Sequence, residues 1–254
     1  MLTRTGKAKV TKSTVRGGPR FCTSYLFIAF LLLIPLTHWQ LAIGIDQDRM
    51  LATLQRLGGT PPQFREWQKL VSDASQLNTP DKLKRVNEFF NRRIQFGEDQ
   101  QVWGQSDYWA TPMETLAKGK GDCEDFTIAK YFTLLSANVP NEQLRLVYVK
   151  AKLGGTLTQA HMVLAYYATP DAEPLILDNL ITDIRPASRR PDLLPVFSFN
   201  NQGIWDSSST ATAATGTLAT SVPSNNSGGS NSGIGRLSRW QDLVNRAKAE
   251  GFEF

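Results

Sequence analysis

The apolar positions of this chain change period along its length. From residue 46 to 99 they recur at helical spacing. In "DRMLATLQRLG", Met50, Leu51, Leu54 and Leu57 share a face, and Gly58-Gly59 stops the helix. "PPQFREWQKLVSDASQL" follows, with Phe64, Trp67, Leu70 and Val71 on its apolar side. "TPDKLKRVNEFFNRRI" repeats the design, with Thr79 as the expected N-cap and Pro80 at the first helical position. Residues 100 to 121 hold Trp103, Tyr108 and Trp109 without a clear period and read as loop. A further helix is expected from Cys123, led in by Gly119 and Gly121 and N-capped by Asp122. Strand signals then occupy residues 144 to 152 ("LRLVYVKAK"), 160 to 168 ("AHMVLAYYA") and 174 to 181 ("PLILDNLI"). Helices followed by a meander predict an α+β domain with an antiparallel sheet.

Two segments fall outside this pattern. Residues 206 to 235 are rich in Ser, Thr, Ala, Gly and Asn, with almost no charge and little to bury, and read as a disordered linker. "RLSRWQDLVNRAKAE" then predicts a closing helix, with Leu237, Trp240, Leu243 and Val244 on the face that docks back on the domain. At the other end, Arg4, Lys7, Lys9, Lys12, Arg16 and Arg20 precede the first acid, Asp46. No charged residue occurs from Phe21 to Ile45. A basic end followed by an apolar run is an export signal. Two fates stay open: cleavage at the small residues of "AIG" (Ala42 to Gly44), or retention as an anchor, since the stretch exceeds the roughly 20 residues that span a bilayer. Either fate places the domain beyond the cytoplasmic membrane.

The organisation expected is a basic tail with export signal or anchor (1–44), a domain (45–205), a linker (206–235) and a C-terminal helix and tail (236–254). A length of 254 residues suits that single domain with extensions. The net charge of +5 belongs to the tail and leaves the rest close to neutral, so nothing points to nucleic acid.

Candidate chemistry centres on two cysteines and two histidines. Cys22 and His38 sit in the export segment, which leaves Cys123 and His161 to the folded domain. A lone thiol in a compartment that favours disulfides calls for catalysis or burial. If the strands at 160–168 and 174–181 form a hairpin, His161 and Asp178 face each other or nearly so. The three then make a nucleophile, base and orienter. The helix start supplies a dipole that lowers a thiol pKa and free N–H groups for an oxyanion. The plainer reading of each stays open: a buried thiol, a satisfied polar side chain at a strand end, and a turn or capping carboxylate. Asp122, Glu124 and Asp125 oppose thiolate formation. Either they cap the helix and complement its dipole, or they bind a hard divalent cation such as calcium. Trp103, Tyr108 and Trp109 are candidates for the cleft wall or the core.

"DYWATPMETLAKGKGDCEDFTIAKYFTL", with the later "AHMVLAYY" and "LDNL", resembles the bacterial transglutaminase-like cysteine proteases of the LapG type over residues 46 to 205 and the closing helix. The resemblance implies a papain-like or transglutaminase-like core, with N-terminal helices and the cysteine at a helix start packed on the sheet. It implies Cys123 as nucleophile, His161 as base and Asp178 as orienter. It implies calcium (Ca2+) held through the "DCED" turn, Asp122 and Glu124 foremost. By the same likeness the protein is a periplasmic endopeptidase that clips a large repeat adhesin near its N-terminus at a di-alanine site and frees cells from a biofilm. An inner-membrane cyclic di-GMP receptor that sequesters the protease is the implied partner.

Two other functions use the same residues. One is transglutaminase-type acyl transfer to an amine on the same triad; the other is a non-catalytic, calcium-binding docking module. The linker also carries a di-alanine, "TAATG" (Thr212 to Gly216), which is a candidate for self-cleavage or for a pseudo-substrate role. Mass spectrometry of the protein held with calcium is expected to show a break between Ala213 and Ala214; an intact chain under active conditions rules self-cleavage out.

Overall fold

The computed structural model describes residues 46–154, 157–206 and 233–253. The basic tail, the uncharged segment with Cys22 and His38, and the linker apart from its two ends lie outside the described residues, as does the side chain of Leu237. Among the described residues no helix is long and apolar enough to cross a membrane.

Three amphipathic helices open the domain: α1 (Gln47–Arg56), α2 (Pro61–Ser75) and α3 (Thr79–Arg93). Asp46 caps α1 by accepting from the Arg49 N–H at 3.1 Å. At α2, Gln63 Oε1 accepts from the Thr60 N–H at 2.7 Å and from its hydroxyl at 2.9 Å. The start of α3 differs from expectation by one residue. Asn78 is the cap, accepting from the Asp81 N–H at 3.0 Å, and Thr79 is already helical. An amide oxygen serves the third helical N–H as well as a hydroxyl does, and Pro80 lacks only an N–H that would have no partner in the first turn.

Residues 100 to 121 are not simply loop. The strand β1 (Gln95–Phe96) pairs in parallel with β2 (Lys120–Gly121), and α4 (Asp99–Val102) and α5 (Pro112–Lys118) lie between them. A capping box starts α5: Glu114 Oε2 accepts from the Thr111 N–H at 2.8 Å, and Thr111 Oγ1 accepts from the Glu114 N–H at 3.2 Å. Thr-Pro-Met-Glu is the sequence signature of that start, and the helix is too short to show a period.

The next helix, α6 (Cys123–Ser136), is buried along most of its length, so it carries no polar face. Its C-terminal side leads into β3 (Leu144–Gly154) and β4 (Leu157–Tyr166), then β5 (Leu175–Leu177) and β6 (Arg185–Pro186). Two strands beyond the expected meander, β7 (Leu193–Asn200) and β8 (Gly203–Asp206), complete an antiparallel sheet of order β6-β5-β4-β3-β7-β8. Pro195 obscures β7 in the sequence; it is accommodated where the β3–β7 register shifts, at Tyr148/Val149.

The fold is therefore α+β, as the sequence predicts. Leu146, Leu164 and Phe199 of the sheet join Phe90 of α3 and Ile128 and Phe132 of α6 in the main core. A smaller cluster, including Val147, Val163 and Ile176, uses the alternate positions of the strands. The final helix, α7 (Gly233–Glu250), docks as predicted. Trp240, Leu243, Val244 and Ala247 are all buried in the main core, and Trp240 meets Tyr131, Phe132 and Phe199. Gly251 ends it at φ +110°, where a Cβ would lie 2.6 Å from the Asp46 carbonyl oxygen. That close approach lets the Asp46 N–H donate to the Gly251 carbonyl at 3.1 Å, which joins the end of α7 to the start of α1.

Replacing Trp240 by Ala is expected to cost about 3–5 kcal/mol, the range for emptying a buried aromatic site. Chemical denaturation measures it, and a loss within the ordinary surface range would show that α7 is not part of the core.

Candidate active site

Cys123 opens α6, and the residues around it explain the local sequence. A Cβ on Gly121 would lie 2.5 Å from Asp125 Oδ2 and 2.7 Å from Asp125 Cβ, so only glycine fits there. Asp122 occupies the N-cap position as expected, but its side chain makes no capping hydrogen bond. Its carboxylate belongs instead to an acidic cluster described below. The Thr127 hydroxyl lies 2.9 Å from the Cys123 carbonyl and 3.0 Å from the Met162 carbonyl, tying the first turn of α6 to β4.

The predicted hairpin forms: Leu164 faces Leu177, Ala165 faces Ile176 and Tyr166 faces Leu175. His161 sits within β4, not at its start, because the strand extends back to Leu157. Strand pairing ends at Leu164 and Leu177, yet His161 and Asp178 still meet, with Nε2 2.8 Å from Oδ1. An ionised carboxylate only accepts, so Nε2 is the ring nitrogen that donates to Asp178. Asp178 Oδ1 also accepts from the Leu180 N–H at 3.0 Å, and Oδ2 accepts from Arg190 Nη2 at 2.7 Å. Burial raises the Asp178 pKa, but the bonds from His161, Leu180 and Arg190 outweigh it and hold the carboxyl down at about 2. From α3, Asn91 Nδ2 donates to the Asp178 carbonyl at 2.8 Å and Asn87 Nδ2 to the Thr182 carbonyl at 2.8 Å, which fixes the loop after β5.

Sequence reasoning missed two residues behind this pair. Arg190 is buried and bridges Asp178 to Asp192 through Nη2, at 2.7 Å to each. Lys130, on α6, is also buried; desolvation pulls its pKa down to about 7, while the charge of Asp178 partly restores it. Its charge in the middle of the buried run 126–134 was the available signal.

Cys123, His161, Asp99, Asp122, Glu124 and Trp109 border one cleft of about 600 Å³. Trp109 thus lines the cleft and also stacks on Phe199, whereas Trp103 and Tyr108 pack on each other and stay off its wall. The Cys123 thiol donates to Glu124 Oε2 at 2.9 Å. Burial pushes its pKa well up, Glu124 and Asp122 add to that, and a backbone hydrogen bond from Met162 opposes it.

Among the described residues, two groups of side chains have converging ligand atoms within 4.8 Å of one another: Asp122 with Cys123 and Glu124, and Asp99 with Asp122 and Asp125. Asp99, on α4, was not legible in the sequence. Burial and the neighbouring acids raise Asp99 to about 6 and Asp122 to about 10, and push Asp125 well up as well. Each of the three keeps one buried oxygen without a hydrogen-bond partner: Asp99 Oδ1, Asp122 Oδ1 and Asp125 Oδ2. Convergent carboxylate oxygens fit a hard divalent cation such as calcium.

Residues 65–207 match the family described as bacterial transglutaminase-like cysteine proteinase, BTLCP. Among solved structures, calcium-bound LapG of Legionella pneumophila is similar at 37% identity, over 80% of this chain and 99% of that one, with a TM-score of 0.62. EGTA-treated LapG of the same organism is similar at 37% identity, over 80% of this chain and 98% of that one, also at 0.62. No curated protein matches the chain.

Asp178 also makes stability depend on pH. Its folded pKa of about 2 lies below the unfolded value of about 3.9, so its ionised form stabilises the fold above that value, and the contribution is lost as pH falls through the folded one. Asp178→Asn is expected to remove about 2 kcal/mol at pH 7 and to flatten the acid limb of the stability curve. Denaturant titrations at a series of pH values check this; acid limbs of equal slope would contradict it.

Proposed function

This chain belongs to the bacterial transglutaminase-like cysteine proteinase family and is a cysteine peptidase; on that premise we propose that it is a calcium-dependent endopeptidase with Cys123 as nucleophile, His161 as base and Asp178 as orienter. The observation that carries the assignment is the His161–Asp178 pair at 2.8 Å, whose imidazole lines the same cleft as the only thiol of the described residues.

The residues divide the work as follows. His161 Nδ1 takes the thiol proton as Cys123 Sγ attacks the peptide carbonyl. Asp178 holds the imidazole and stabilises its charged form, with Arg190 fixing Asp178 in turn. The oxyanion faces the first-turn N–H groups of α6, that of Cys123 included. His161 then returns the proton to the leaving amine, and water releases the acyl group from sulfur. Asp99, Asp122 and Asp125, with Glu124 beside them, would hold calcium, which supplies positive charge next to a thiol that the carboxylates otherwise keep protonated.

A peptide substrate suits the cleft. Pairing with β5 stops at Leu164, and Leu157, Thr158, Gln159 and Ala160 of β4 are exposed beside the site. An unpaired strand edge offers an extended peptide backbone partners. The biological reading is a protease of the periplasm, free or tethered through its N-terminal segment, that cuts a large repeat adhesin near its N-terminus at a di-alanine site and releases cells from a biofilm. A cyclic di-GMP receptor of the inner membrane that sequesters it is the partner proposed. Support for this comes from the likeness to LapG, from the basic, then uncharged N-terminus, and from the acidic cluster.

The purified domain, incubated with adhesin N-terminal fragments, is expected to cleave them with calcium, to stop on chelation and to recover when calcium returns. Cys123→Ala is expected to abolish cleavage. Cleavage that ignores the chelator would remove calcium from the account, and stable incorporation of a labelled primary amine in place of hydrolysis would favour acyl transfer.

A further inference from the structure

We propose that Arg246 and Glu250 of α7 are positioning residues for the cation site, acting through residues 108–111; the proposal rests on the calcium reading above. The backbone of this short segment holds two of the three clustered aspartates. The Tyr108 N–H donates to Asp99 Oδ2, and the Ala110 N–H donates to Asp125 Oδ1 at 2.8 Å. In both aspartates the other oxygen is the one that lacks a partner. One oxygen of each is thus anchored by the main chain, which sets the direction of its mate.

That main chain is in turn held by α7. Arg246 Nη2 donates to the Trp109 carbonyl at 2.7 Å, and Nη1 donates to the Tyr108 hydroxyl at 3.1 Å and to Glu114 Oε2 at 2.6 Å. The Arg246 guanidinium also stacks over the Tyr108 ring, 4.9 Å from its centroid. Glu250, one helical turn further on, accepts from the Thr111 hydroxyl at 2.7 Å. Glu114 and the Tyr108 hydroxyl close the ring at 2.8 Å. The segment is therefore gripped by α7 at residues 108, 109 and 111, while its N–H groups at 108 and 110 grip the acids. Side chains behind metal ligands commonly control affinity by holding the ligands in register.

Charge makes the direction of the effect diagnostic. Removing a cation from the neighbourhood of a calcium site would by itself tighten calcium binding; removing a clamp that orients the ligands weakens it. Calorimetric titration of the whole domain with calcium, alongside its unfolding temperature, separates the two. Arg246→Ala is expected to weaken calcium binding about 10- to 100-fold, the usual cost of losing such a support. Arg246→Lys, which cannot reproduce the planar fork, is expected to fall between that variant and wild type. Tyr108→Phe keeps the ring and loses only the hydroxyl, and is expected to weaken binding less than Arg246→Ala; with Arg246→Lys it carries the test if Arg246→Ala fails to fold. Val244→Ala, on the same helix but in the core, is expected to lower the unfolding temperature and leave calcium affinity unchanged.

Calcium binding that is unchanged or tighter in the Arg246 and Tyr108 variants would overturn the proposal while leaving the calcium reading intact. A wild-type domain that takes up no calcium would overturn the calcium reading itself, and with it the ground of this proposal. Equal weakening by Val244→Ala would reduce α7 to a stabilising element and also overturn it.

Discussion

Like charges forced together at one helix start are the constraint around which this structure is arranged. Asp122 precedes the cysteine, Asp125 lies two residues after it, and Asp99 reaches them from another helix, with converging oxygens within 4.8 Å. Placed against a thiol, such a group holds the sulfur protonated, and the raised pKa values of Cys123, Asp122 and Asp125 express burial first and then the mutual repulsion of these groups. Much of the surrounding fold serves to keep the acids together. Gly121 makes room for the Asp125 side chain, and the backbone at residues 108 and 110 donates to two of them. A divalent cation bound there would convert the same arrangement from a burden on the thiol into a support for it.

The imidazole side of the site follows the opposite electrostatic rule. Asp178 is kept ionised by donors on every side, namely His161, the Leu180 N–H and Arg190. It can then orient His161 and stabilise its charged form. The two carboxylate environments thus separate in pKa, one group pushed up beside the thiol and the other held down behind the imidazole. The helical layer contributes to both: α3 fixes the Asp178 loop through Asn87 and Asn91, and α7 grips the segment that tethers Asp99 and Asp125.

What the sequence reveals follows from how local each interaction is. The amphipathic helices, the hairpin of β4 and β5, and the meeting of His161 with Asp178 were legible, because periodicity and hairpin geometry are set by near neighbours. The helix start at Asp122 was legible too, but not the turning of its carboxylate away from the cap, which depends on Asp99. Asp99 and Lys130 meet their partners from other elements, and Arg190 reaches Asp178 from the loop 12 residues on; none carries a local signature beyond a charge in an unusual setting. The short helix α5 announced itself only through Thr111 and Glu114, and Pro195 obscured β7, where a register shift makes room for it. The family was readable from the "GDCEDF" block with its aromatic lead-in, and the match over residues 65–207 bears that resemblance out. The clamp from Arg246 could not be read at all, since it joins residues more than 130 positions apart.

The account stands on the coupling of the acidic cluster to the sulfur. The most direct measurement is the rate of Cys123 alkylation by iodoacetamide as a function of pH, with saturating calcium and with a chelator. The account predicts that calcium moves the alkylation midpoint to lower pH and that the chelated protein reacts appreciably only in alkaline solution. Superimposable profiles in the two conditions would contradict it, because the acids would then exert no calcium-dependent hold on the thiol.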